Sequence, residues 1–72
     1  MITVSVVDQN ALRVVLEGVV DGYPQLTERW TVSVSAIGND PGLLAQARDE
    51  LIARLETRVT QYLIAQEAIA NL

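Results

Sequence analysis

Apolar and polar residues alternate from the start of the chain. Ile2, Val4 and Val6 share one side, and Thr3, Ser5 and Val7 the other. A period of two residues belongs to a half-buried strand. Asp8-Gln9-Asn10 follows, and such side chains bond nearby backbone groups, which predicts a turn. A second strand is read from Ala11 to Val20, with Leu12, Val14 and Leu16 on one face and Arg13, Val15 and Glu17 on the other. Gly18 inside that run points to a bulge or to the close approach of another backbone. Asp21-Gly22 is tight-hairpin chemistry, but Pro24 has no N–H for a ladder, so a longer loop through about Leu26 is expected. The third strand is predicted from Thr27 to Ile37. Trp30, Val32, Val34 and Ala36 share a face there, opposite Arg29, Thr31, Ser33 and Ser35. One side of this sheet is therefore wet and the other covered.

After Ile37 the period changes. Asp40 is placed to cap a helix and Pro41 suits its first position. No glycine or proline occurs beyond Gly42, so one helix is predicted over residues 40–71. Leu44, Leu51, Leu55, Val59, Tyr62 and Ile69 form its apolar stripe, with Gln46, Asp49, Glu56, Thr60, Glu67 and Asn71 opposite. The expected fold is thus α+β: a three-stranded antiparallel β-meander (residues 1–37) followed by one long C-terminal amphipathic helix, βββα, in a single domain of residues 1–72.

The helix is longer than the sheet it has to cover. About 30 residues make a rod of roughly 45 Å, whereas such strands span only ~20–30 Å. The overhanging turns do not become polar: Leu63, Ile64, Ala65, Ala68, Ile69, Ala70 and Leu72 fall almost all round the axis. A helix apolar on every side is a buried one, and packing on another chain is preferred here to a kinked helix folding back on its own sheet or a frayed tail. Tyr62, Leu63, Ile64, Ala68, Ile69 and Leu72 are accordingly the candidate protein-interface residues.

Composition narrows the remaining choices. A chain of 72 residues with neither cysteine nor histidine lacks the disulfides and common metal ligands that brace small domains, which leaves oligomerisation or docking as the stabilising route. The net charge of −4 and five dispersed arginines without a lysine argue against a phosphate-binding surface and so against nucleic acid. No apolar run approaches the ~20 residues of a membrane span, and the first residues show no signal-peptide pattern. A cytoplasmic or virion location is the expectation.

Candidate chemistry is sparse. The carboxylates do not converge in spacing, and the Ser and Thr residues of strands one and three have no His, Lys or Cys partner, so no catalytic residue, metal site, cofactor or small-molecule substrate is expected. Gly38-Asn39-Asp40-Pro41-Gly42 resembles an anion cradle in outline, but Asp40 would repel an anion and the cap reading is preferred. Arg48 lies within the apolar stripe. It is read either as paired with Glu17, Glu28 or a partner's carboxylate, or as a side chain whose head reaches solvent, the latter being preferred. Glu50 and Arg54 are an i, i+4 pair, while Arg58 has no acidic i+4 neighbour on its own helix. Gln66 either sets register in a helix seam or marks where the internal core stops. Trp30 is read as core and Tyr23 as a loop contact.

Gly22-Tyr23, the run Ala45-Gln46-Ala47-Arg48-Asp49-Glu50-Leu51, the acidic balance and the βββα order are loosely similar to the small HicB-type antitoxins. That resemblance touches about half of the chain. In this sequence proline directly follows the tyrosine, which departs from the family pattern. The resemblance implies an acidic adaptor that neutralises a protein partner. The reading preferred on the residues is a non-enzymatic structural or assembly subunit, binding itself or other subunits through the C-terminal helix and a sheet edge, of the kind found as a bacteriophage head or tail accessory protein.

Overall fold

In a computed structural model describing residues 1–72, the chain forms three antiparallel strands and then a long helix. The strands are β1 (Ile2–Gln9), β2 (Arg13–Val20) and β3 (Tyr23–Ser33), in the spatial order β1-β2-β3. A short helix α1 (Val34–Asn39) leads into α2 (Leu43–Ala70). The βββα architecture read from the sequence is the one observed.

β2 lies at the centre and carries most of the sheet's share of the core. Val14, Leu16 and Val20 face α2 together with Val32 of β3, and Ala47, Leu51 and Leu55 meet them from the helix. Leu51 and Leu55 are wholly buried. Both sit over Gly18, where an added Cβ would collide with Leu55 Cδ1 and lie 3.2 Å from Leu51 Cγ. Gly18 is thus the point of close approach, and the approaching group is a pair of leucine side chains. The ladder also shifts register beside it, between Gly18 and Val20. The far face of the sheet is mostly polar around a buried Val15, with Glu17 paired across the strands to Arg29 at 2.8 Å.

Several boundaries differ from expectation, each for a local reason. Gln9 still pairs with Val14, past a bulge between Val6 and Asp8. The first turn is then made by Asn10, whose Oδ1 accepts from the N–H groups of Leu12 and Arg13 at 2.8 and 2.9 Å. Leu12 therefore sits exposed in that turn and does not share the face of Val14. At the second connection Asp21-Gly22 does make a tight turn, with Gly22 at φ 84 and Val20 paired to Tyr23. Pro24 is accommodated because β3 is an edge strand. The regular ladder resumes only at Glu28, with Thr27 Oγ1 donating to the Pro24 carbonyl at 2.7 Å between them.

The third strand ends at Ser33, not at Ile37. Ser33 pairs with Arg13, the first residue of β2, so residues beyond it have no neighbouring strand to pair with. The chain turns helical instead: Ser33 Oγ accepts from the Ala36 N–H at 3.2 Å as an N-cap. Val34 and Ala36 thus belong to a helix, and Ile37 packs against the core. The long helix starts at Leu43 with Gly42 as its N-cap, not at Asp40. The Asp40 carboxylate is used one step earlier, accepting from the Gly42 N–H at 3.1 Å while its own N–H closes α1 on Ala36.

Candidate interface

α2 runs along the sheet in the direction of β2. Leu44 packs near its start and Val59 near its end, with Leu51 and Leu55 over Gly18 between them. Tyr62 reaches Tyr23 at the β2–β3 hairpin, edge to face with ring centroids 5.5 Å apart. From Leu44 to Tyr62 the helix rises about 27 Å, slightly more than the ~23 Å between the ends of an eight-residue strand. Everything after Tyr62 projects past the hairpin, about 12 Å of helix to Ala70. The molecule is consequently 51 Å long with an 18 × 17 Å cross-section.

That overhang contains the interface candidates. Leu63, Ile64 and Ile69 are 46%, 63% and 66% exposed, and Leu72 is fully so. Ala68 is exposed as well. Tyr62 differs from the rest: it is partly covered by Tyr23, and its hydroxyl accepts from Gln66 Nε2 at 2.9 Å. Gln66 thereby marks the end of the internal core, its amide satisfied one turn back. Between Val59 and Leu72 the only charged side chain is Glu67. A largely apolar helix end with one charged side chain, standing free in water, is surface that association would bury.

The whole-chain surface agrees in magnitude. The accessible surface is 5028 Å², against about 4,400 Å² for a compact chain of this mass. The radius of gyration is 15.0 Å, against about 11 Å for a compact domain of this length. An excess of roughly 600 Å² is of the order of the ~800 Å² that each partner contributes to a standard interface.

The five arginines are engaged within the chain. Arg13 pairs with Asp8, Arg29 with Glu17 and Arg48 with Asp49. Arg48 thus has its head at the surface, in keeping with the snorkelling reading. Arg54 does not engage Glu50. It lies 3.8 Å from Glu28 Oε1 and stacks on Trp30, guanidinium carbon 4.6 Å from the ring centroid. Arg58 Nε is 3.1 Å from the other Glu28 oxygen, which is screened from solvent and has this ionic partner but no directed hydrogen bond. The acidic neighbour that Arg58 lacks on its own helix is therefore supplied by β3. With all five arginines occupied, no cationic patch remains.

A second apolar feature lies at a sheet edge, which the sequence did not assign to a particular strand. α2 leans towards β3, where Glu28, Arg54, Arg58 and Trp30 hold it, and this leaves the β1 side open. A groove of about 540 Å³ there has Met1, Ile2, Val20, Tyr23, Ile52 and Val59 as its apolar lining. A neighbouring hollow is lined by Val4, Val6, Leu16, Leu44 and Ala45 together with Ser5 and Arg48. Val6, expected on the covered face, is 55% exposed because the helix lies too far over to cover it. One signal was present: in a meander the first strand is necessarily an edge.

No group of three or more His, Cys, Asp or Glu side chains is placed to hold a metal ion, and no helix is long and apolar enough to cross a membrane. Comparison with protein-family models, with curated proteins and with solved structures returns no match to this chain.

Proposed function

We propose that this chain is a non-enzymatic structural subunit that assembles with further copies of itself or with other subunits of a larger particle, such as a bacteriophage head or tail. The docking element is the helix end from Tyr62 to Leu72. The observation that carries this reading is the overrun of α2: Leu63, Ile64 and Ile69 stand exposed beyond the last residue the sheet can cover. Selection for a monomer would favour more charge on those turns or a stop at the hairpin, because an apolar helix end with a single charge promotes aggregation.

The test is the mass of the purified chain by light scattering, compared with the double variant Ile64→Asp, Ala68→Glu. Both side chains point into solvent, so the fold is retained and the assembled mass falls. A wild-type chain that stays at 7.9 kDa from micromolar to millimolar concentration would overturn the reading. A mass unaffected by the double variant would move the interface elsewhere.

A further inference from the structure

The two edges of the sheet are built differently. β3 is guarded in the ways that prevent strand addition: Pro24 withholds a donor, residues 24–27 break the ladder, and Glu28 and Arg29 put charge along the strand. β1 has no such guard. Residues 2–7 contain neither proline nor a charged side chain, and its one bulge comes after Val6. The Asp21 N–H donates to the Met1 carbonyl at 2.8 Å, which sets the phase of the antiparallel ladder. Bonded pairs recur at every second residue, so Thr3 and Ser5 are turned to β2, while Ile2, Val4 and Val6 direct their N–H and C=O groups to the open edge. The groove and hollow on this same side of α2 carry Ile2, Val4 and Val6 in their walls.

We propose that β1 is a second, isologous interface, pairing antiparallel with β1 of another copy to join two sheets into one of six strands. This rests on the assembly reading above and adds a contact distinct from the helix end. A row of free backbone donors and acceptors is satisfied best by another strand. A second copy fits because residues 2–7 are uncharged, so pairing them with themselves sets no like charges opposite one another. The two-fold operation also brings the open apolar sides together and turns the two α2 helices antiparallel. The edge is about 23 Å long and the cross-section 18 × 17 Å, so the contact face is roughly 400 Å² in projection, about half of the ~800 Å² per partner of a standard interface. Taken alone it makes a weak, concentration-dependent dimer.

The experiment uses the full chain with the helix end disabled by Ile64→Asp and Ala68→Glu, so that only β1 can associate. Light scattering should show its mass rising from 7.9 kDa towards twice that value between micromolar and millimolar concentration. Adding Val4→Pro, which removes an outward donor but no bond to β2, should weaken dimerisation at least tenfold. Adding Val6→Lys should do the same with the backbone unchanged, and a far-UV spectrum establishes folding in each. Amide exchange at Val4 and Val6 should slow as the dimer forms. The proposal is overturned if the helix-disabled chain stays monomeric throughout, or if both β1 variants dimerise as well as their parent. If wild type assembles while the helix-disabled chain stays monomeric, only the β1 contact fails. If wild type is itself monomeric, the assembly reading fails with it.

Discussion

Gly18 holds the helix against the sheet by being absent as a side chain. Leu51 and Leu55 occupy the space above it, so Gly18→Ala must displace a wholly buried leucine. Overpacking of this kind costs about 1–3 kcal/mol, and urea denaturation should show a loss in that range despite the better strand propensity of alanine. Glu28 works through charge. Its carboxylate lies between Arg54 and Arg58, and Glu28→Gln leaves two cations four residues apart with no counter-charge from β3. Both arginines are more than half exposed, so the expected loss is only about 0.5–1 kcal/mol. The difference between variant and wild type should narrow as salt rises, because screening weakens the pair in the parent and the repulsion in the variant alike. An unchanged difference in high salt would mean that Glu28 matters through packing.

At the scale of elements, α2 is two objects joined end to end. The part from Leu43 to Tyr62 covers the sheet and holds it together; Leu51→Ala should cost about 2–5 kcal/mol through the cavity left in a core with little else to offer. The part beyond Tyr62 stabilises nothing internally, so Ile64→Asp at low protein concentration should change the unfolding free energy by less than about 0.5 kcal/mol. Denaturation of both variants, measured below the association range, checks the division. Comparable losses would show that the helix end folds back on its own sheet. The boundary was legible from lengths alone, since an eight-residue strand and the helix rise per residue are fixed. The other boundaries were less so. Val34 and Ala36 alternate as in a strand, yet β2 begins at Arg13, and a strand stops where its neighbour does.

For the molecule as a whole, a 51 Å rod with a 17–18 Å cross-section and only Leu51 and Leu55 wholly buried has a small core for its surface. Amide exchange of the dilute chain should be slowest around Leu51 and Leu55 and fastest from about residue 65 onwards, since isolated helix ends are marginal in water. At assembling concentrations the amides beyond Tyr62 should gain protection. Constant rates there would place association elsewhere. The two proposed interfaces, being of different kinds, would allow growth beyond a dimer, which a closed pair of subunits does not.

Periodicity, turn chemistry and the run free of glycine and proline were enough to establish three strands, one long helix and an apolar helix end beyond the reach of the sheet. All of these depend on local spacing and on lengths that the backbone sets. The contrast between the two sheet edges, the lean of α2 towards β3 and the meeting of Glu28 with Arg54 and Arg58 were decided only in the tertiary structure. They depend on which side of the helix faces which strand, a choice made by side chains distant in sequence packing around Gly18. The half-covered apolar face of β1 follows from that lean, and no alternation within residues 2–7 could have revealed it.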